Sequence, residues 1–261
     1  MSAAGLLASE WTKIRSVRST LWSLLAFVVV AVGFSTLVAF VISGNWNKPG
    51  PHPEHLTLLT DPTQVIFGAG FGIGQLAMCV LGVIVISSEY STGAIRSSLL
   101  AVPRRLPMLA AKAAVFVVLD AVVSAVTVFA VFFIATAILR SHVPVTLSQP
   151  GVMRAVIGGI LYLAVLGLFA LAAGGLIRHT AGAIAAVIAM VLVVPPLISL
   201  IPGTVAHHIH GYLPTVAGVL VAQTRQQPAD VLSPWQGFGV FCLWTAALLA
   251  ACGWLLVRRD A

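Results

Sequence analysis

One carboxylate lies deep within an apolar stretch of the sequence, where it could do chemistry inside a membrane. Asp120 follows Lys112 by eight residues, and Ser124 and Thr127 lie four and seven residues farther on. On a helix these offsets place the three side chains on one narrow stripe. An aspartate at this depth is costly to insert, so it must face protein or a water-filled path. The stripe is therefore either a substrate-path or proton-linked site, or a structural feature, namely a buried hydrogen bond or a protonated, packed acid.

Two other groups of residues have the chemistry, but not the spacing, of a metal or nucleotide site. The histidines of HPEH at 52–55 and HHIH at 207–210 do not form an HExxH pattern. The glycines at 68, 70, 72 and 74 lack the lysine of a GxxxxGK[ST] phosphate loop, and they favour close helix packing instead. We therefore expect no metal site and no cofactor bound by this chain. A membrane enzyme is disfavoured because no nucleophile, base or metal set converges.

A compact polar segment, SSEYSTGAIRSSLLAVPRR at 87–105, separates two apolar stretches. A two-residue turn would suffice for a hairpin, as at Arg178 and His179, so the extra length favours a binding function over the alternative, a solvated connector. Proline disfavours helix at the residue before it, so the helical core at 89–100 must stop before Pro103. We expect a short helix along the membrane that presents four side chains to solvent, those of Glu89, Tyr90, Thr92 and Arg96.

The N-terminal residues 6–19 form the second polar element. Helical spacing places an apolar face, which carries the tryptophan, opposite a polar face. The first face carries Leu7, Trp11, Ile14 and Arg18. The polar face carries Glu10, Lys13 and Ser16. Such a helix lies in the headgroup plane. It is either a simple anchor, or its polar face, led by Glu10 and Lys13, also docks a soluble partner.

The elements that must position these residues are membrane-spanning helices. Hydrophobic residues make up 59% of the 261 residues and charged residues only 8%. A run of about 20 apolar residues crosses a bilayer, and six runs qualify, at 21–42, 65–86, 113–139, 155–177, 180–201 and 236–257. The predicted fold is all-α and polytopic, a single transmembrane domain over 1–261 with an interfacial helix at 1–19.

Basic residues predict the orientation of these spans. Ten lie on the side of the termini, namely Lys13, Arg15, Arg18, Arg96, Arg104, Arg105, Lys112, Arg178, Arg258 and Arg259. Four lie opposite, namely Lys48, Arg140, Arg154 and Arg225. Cytoplasmic loops are enriched in Lys and Arg, so we expect a multi-pass protein of the cell membrane with both termini in the cytoplasm. The lipid bilayer explains the net charge of +7, and we expect no nucleic-acid partner.

Two features at the outer side favour a gate. The segment 215–224 is apolar but too short to cross, which indicates an interfacial or re-entrant helix. Pro195 and Pro196 remove two backbone donors near the outer end of the fifth span and predict a kink. A kinked helix beside a re-entrant segment is consistent with a gate or with a static bend.

Four blocks of sequence together resemble a known family. They are EWTKIRSVRSTLW at 10–22, SSEYSTGAIRSSLLAVPRRLPMLAAK at 87–112, GYLPTVAG at 211–218 and WLLVRRDA at 254–261. In this order they resemble actinobacterial ABC transporter permeases of the type 2 exporter family. Ser88 stands where such permeases often have glycine.

The resemblance implies a six-span subunit that pairs with a second permease, identical or related, and with two copies of an ATPase subunit that binds ATP and magnesium. It implies that the ATPase is contacted by the coupling residues Glu89, Tyr90, Gly93, Ile95 and Arg96 and by the interfacial helix with Glu10, Trp11, Lys13 and Arg15. It also implies outer re-entrant helices, here matching Tyr212, Pro214 and Gly218 beside Pro195 and Pro196.

Two transport mechanisms are compatible with these residues. The first is the membrane subunit of an ATP-driven exporter, with no enzymatic activity of its own. The alternative is an ion-coupled secondary transporter that uses Asp120 without an ATPase. Secondary transporters usually contain paired repeats with broken helices, and no internal repeat is evident here.

Overall fold

The computed structural model describes residues 3–16, 18–48, 53–91 and 105–258. These residues form helices and connecting turns, without a strand. In chain order the helices are α1 (Ala3–Ser16), α2 (Arg18–Asn45), α3 (Pro53–Thr60), α4 (Pro62–Ser91), α5 (Arg105–Leu139), α6 (Val152–Ile177), α7 (Thr180–Ile188), a π-helix (Ala189–Val193), α8 (Val194–Ser199), α9 (Thr204–Gly211), α10 (Pro214–Val219), a 3₁₀ turn (Leu220–Ala222) and α11 (Pro234–Arg258). The all-α polytopic prediction is confirmed, since the described residues include six helices long and apolar enough to span a membrane.

The fourth span, α6, lies at the centre of the bundle. About 72% of its apolar core is buried inside the protein, against 17% for the fifth span. Glycines allow α4 to approach it closely, because a Cβ on Gly174 would lie 3.0 Å from the Cα of Val83. Helices in a bilayer associate through such small residues. Two of the predicted packing glycines, Gly70 and Gly74, likewise lie against Ala31 of the first span.

Two spanning helices extend beyond the predicted apolar runs at the termini side. Helix α4 continues through Ser91 rather than ending at 86, and α5 begins at Arg105 rather than at 113. Hydropathy ends a span at the first charged residue, here Lys112. The helix continues past it because acidic side chains of other helices pair with this lysine. A helix needs only internal backbone hydrogen bonds, so a neutralised charge does not end it.

The fifth span is interrupted just before the prolines, in the region where the sequence predicts a kink. Its α-helical hydrogen bonding gives way at Ala189–Val193 to a π-helix, in which the amide of Val194 donates to the carbonyl of Ala189. Proline has no amide hydrogen, so Pro195 and Pro196 cannot complete the ordinary α-helical ladder. A π-turn is a recognised way to absorb such a defect within a spanning helix.

The short segment 214–222, predicted to be an outer re-entrant element, packs against the fourth and sixth spans. Helix α10 and the 3₁₀ turn bury most of their side chains. A Cβ on Gly218 would lie 2.5 Å from the Phe241 ring and 3.1 Å from the Tyr162 ring. These aromatic residues lie seven residues into α11 and ten into α6, roughly 10–15 Å from the ends of those helices at 1.5 Å per residue.

Candidate functional site

Four charged side chains form one cluster at the end of the bundle that carries the termini. The Lys112 ammonium lies 2.6 Å from Glu10 Oε2 and 2.8 Å from Glu89 Oε1. The Lys13 ammonium lies 2.6 Å from Glu10 Oε1 and 3.4 Å from Glu89 Oε1. The four residues belong to three helices, α1, α4 and α5. We call this set the four-charge cluster, and it ties those three helices together.

Burial makes the four-charge cluster more than a surface ion pair. The side chains of Glu10 and Lys112 are 2% and 3% exposed, and that of Glu89 is 11% exposed. Two acids and two bases cancel, so the cluster is electrically neutral. Buried charges are tolerated only when they are paired and hydrogen-bonded, and removal of one partner from such a pair is strongly destabilising.

The two members of the cluster on α1 titrate differently from isolated side chains. Burial alone would raise the pKa of Glu10, but the adjacent ammonium groups of Lys112 and Lys13 outweigh it and lower the pKa below its ordinary 4.5. For Lys13, burial lowers the pKa, but hydrogen bonding to Glu10 and attraction by Glu89 raise it above 10.5. Both shifts favour the charged forms, so Glu10 and Lys13 are ionised at neutral pH.

A second set of contacts holds the C-terminal end of α4, on the side away from the four-charge cluster. The Arg178 guanidinium lies 5.0 Å from the centre of the Tyr90 ring and donates to the Leu255 carbonyl at 3.3 Å. The Thr180 hydroxyl donates to the Ser87 hydroxyl at 2.9 Å. The last turn of α4 is therefore fixed both by α1 and α5 and by the turn between the fourth and fifth spans.

The structure corrects two predicted orientations. Glu10 was expected on the outward polar face of the N-terminal helix, but it is buried because Lys112 provides a counter-charge. Glu89 and Tyr90 were expected in a separate loop helix exposed to solvent, but both belong to the last turn of α4 and contact neighbouring helices.

The other predicted residues of these two elements are placed only in part. Trp11 and Arg15 are exposed on α1, so this helix presents a tryptophan and a cation to its surroundings. Gly93, Ile95 and Arg96, together with most of the predicted helix at 89–100, lie outside the described residues.

Lys112 is the residue of this site that sequence reasoning missed. It counted only as one of ten cations on the termini side, although it is the centre of the four-charge cluster. The sequence feature that could have identified Lys112 is its position at the start of an apolar run. A lysine there needs a carboxylate, and the sequence has only seven acidic residues from which to choose.

Asp120 is enclosed by protein. It is fully buried, and its Oδ1 accepts a hydrogen bond from Ser124 at 3.2 Å. Thr127 instead donates to the carbonyl of Val123 in its own helix, so the predicted stripe of three does not form one network. Gly167 of α6 faces the aspartate so closely that a Cβ there would collide with the carboxylate. The second oxygen, Oδ2, has no hydrogen-bond partner among the described residues.

The predicted outer residues divide into two groups. Tyr212, Pro214 and Gly218 lie beside the sixth span, where Trp244 Nε1 donates to the Tyr212 carbonyl at 3.1 Å and Gly218 contacts Phe241. Pro195 and Pro196 lie in α8, whose next turn, at Ile198, lines a cavity of about 440 Å³. The cavity is also lined by residues of α9 and α10, but none of the five predicted residues is among its lining.

A second missed residue, Asp61, anchors the outer segment. Its carboxylate accepts hydrogen bonds from the Thr224 amide at 3.0 Å, the Arg225 amide at 3.3 Å and the Gln64 amide at 3.1 Å. The Thr63 hydroxyl donates to it at 2.9 Å. Aspartate followed by proline is a common helix start, so the position of Asp61 before α4 could have been predicted from the sequence. Its contact with Thr224, 163 positions away, could not.

Comparison with known proteins identifies the family. The family model described as ABC-2 family transporter protein matches residues 6–196, which include the four-charge cluster, the first four spans and most of the fifth. No curated protein matches the chain. An ABC-2 permease acts in the membrane together with an ATP-binding partner. The chain therefore belongs to the ABC-2 transporter family and is a multi-pass membrane permease component of an ABC transporter.

Proposed function

We propose that this permease forms the translocation path of an ATP-driven exporter and receives movement from a separate ATPase subunit through the four-charge cluster. Two copies of that subunit bind ATP and magnesium. A second permease subunit, identical or related, completes the path in the cell membrane. Both termini face the cytoplasm, where the ATPase binds.

The observation that supports this proposal is the ionic tie between α1, α4 and α5. A force applied by a partner to α1, or to the segment that follows α4, would act on all three helices at once. Lys112 lies on the third span and Glu89 on the second, so the force would reach two spans. Rigid-body movement of packed helices is a common route for switching between states.

Enclosure of Asp120 gives the ion-coupled alternative little support. An ion pathway needs water or a chain of polar groups at the carboxylate, whereas Asp120 contacts Ser124 of its own helix and the backbone region of Gly167. A structural hydrogen bond accounts for the contact of Oδ1 with Ser124, while Oδ2 has no partner among the described residues.

Co-purification tests the proposal. The tagged full chain is isolated from native membranes, and we expect a nucleotide-binding subunit to accompany it. In the reconstituted complex, a Tyr212→Cys variant reports movement of the outer segment through its rate of labelling by an impermeant maleimide. We expect MgATP to change that rate, and Glu89→Arg to abolish the change, because it places a third cation beside Lys112 and Lys13.

The matched control is Glu54→Arg, which makes the same charge change in α3 at the opposite end of the bundle. It should keep the response to MgATP. The absence of any nucleotide-binding subunit, or a full response in Glu89→Arg, would contradict the proposal.

A further inference from the structure

An apolar groove of about 720 Å³ lies on the surface of the bundle between the third and sixth spans. Its lining consists of apolar residues of α5 and α11, among them Leu106, Ala113, Leu249 and Val257. The groove is open because Ala110, Ala250 and Gly253 present little or no side chain. It faces the region that lipid occupies around a membrane-spanning bundle.

The groove has the length of one leaflet. From Leu106 to Ala113 is seven residues, and from Leu249 to Val257 is eight, which correspond to roughly 10 and 12 Å along the helices. Half of a hydrocarbon core is about 15 Å. The groove therefore runs from the headgroup level on the side of the termini toward the middle of the bilayer, as one acyl chain does.

Positive charge marks the headgroup end of the groove. Arg105 and Arg258 directly adjoin the lining residues Leu106 and Val257. Arg258 is exposed, and its guanidinium lies 4.5 Å from the ring centre of Trp254, which itself lines the groove. Arg105 donates to the Leu256 carbonyl at 2.8 Å, which keeps its guanidinium at this helix end. A guanidinium at this level attracts phosphate, and tryptophan prefers the membrane interface.

We propose that this groove binds one anionic phospholipid of the leaflet on the side of the termini. One acyl chain lies along Ala110 and Ala250, and the phosphate lies near Arg258. The occupant is a membrane lipid rather than a protein helix because the groove spans one leaflet only and carries cations where it meets the headgroups. The site is distinct from the four-charge cluster and does not depend on the proposed coupling.

Photoactivatable lipids test this site. The full chain is reconstituted with phosphatidylglycerol or phosphatidylcholine carrying the same photoactivatable acyl chain, and labelled peptides are identified by mass spectrometry. We expect labelling within 105–113 and 249–258, with phosphatidylglycerol favoured about fivefold, the effect of roughly one cation near a membrane surface. Arg258→Gln should remove this preference, and Ala250→Phe should reduce labelling by both lipids several-fold.

The matched control is Ala247→Phe, at an exposed position of α11 outside the groove, which should label as the unmodified chain does. Equal labelling by the two lipids, or labelling unaffected by Ala250→Phe, would overturn the proposal, since the groove would then hold ordinary boundary lipid. Cross-links between two copies of the chain at position 250 would also overturn it, because a second protein would cover the groove. Failure of the ATPase proposal would leave these results unchanged.

Discussion

Replacement of Lys112 by methionine is expected to release α1 from the bundle. Methionine keeps most of the side-chain volume but leaves Glu10 and Glu89 with Lys13 as their only described counter-charge. Loss of one partner from a buried ion pair costs about 3–5 kcal/mol. Because Lys13 is 40% exposed and still contacts both acids, we expect the lower end of that range.

That loss corresponds to a shift of about 150-fold in the equilibrium between docked and released α1, at about 1.4 kcal/mol per tenfold change. Hydrogen exchange of the α1 backbone amides, measured by mass spectrometry on the full chain in lipid nanodiscs, reports this equilibrium directly. We expect the exchange of α1 to accelerate by about two orders of magnitude, with the core of α6 unchanged.

Two further variants make this test specific. Lys48→Met removes a lysine at the opposite end of the bundle and should leave α1 protected. Adding Glu89→Gln to Lys112→Met restores charge balance, since Glu10 and Lys13 then neutralise each other, and it should recover part of the protection. Unchanged exchange of α1 in Lys112→Met, or no recovery in the double variant, would refute the assignment of the cluster as the tie.

Three other outcomes follow from the contacts described. Acid should release α1, because the pKa of Glu10 in the folded protein lies below its ordinary 4.5. The stabilisation by ionised Glu10 is therefore complete above pH 4.5 and is lost as the pH falls through the folded pKa. Loss of the hydrogen-exchange protection of α1 already at pH 6 would contradict this prediction. Asp61→Asn should destabilise the outer segment by about 1–3 kcal/mol through poorly paired amides, seen as faster exchange of the Thr224 amide, whereas Asp230→Asn should not affect that amide. Gly167→Ala should lower the free energy of unfolding by about 1–3 kcal/mol because the added Cβ collides with Asp120, and the melting temperature in detergent should fall. Adding Asp120→Ala should restore part of this loss, whereas purely additive effects of the two substitutions would refute the contact.

The spans were predictable because bilayer thickness dictates the length of an apolar run. Their ends were less so. Runs ending at 86 and beginning at 113 reflect where hydropathy falls, whereas α4 reaches Ser91 and α5 starts at Arg105. Helices continue through polar residues whenever a neighbour satisfies them, and hydropathy along one chain segment contains no information about neighbours.

The residue types at the functional site were predictable, but their partners were not. Glu10 and Glu89 were both identified, yet both were expected to face solvent, the ordinary environment of an isolated glutamate. Glu10 is instead paired with a lysine 102 residues away. No local pattern encodes a contact at that separation. By contrast, the short outer helix and the interruption at Pro195 and Pro196 were predictable, since length and missing amide hydrogens act locally.

The four-charge cluster also has a consequence for biosynthesis. Glu10 is made early, but Lys112 leaves the ribosome 102 residues later, a delay of roughly 5–20 s at bacterial and eukaryotic synthesis rates. For most of that interval Glu10 is the only glutamate of the cluster that has been made, because Glu89 precedes Lys112 by just 23 residues. The N-terminal helix therefore lacks its buried lysine partner throughout. The earliest helix to be translated thus gains its buried counter-charge only after residue 112 has been made, and a chain truncated before that residue would lack it.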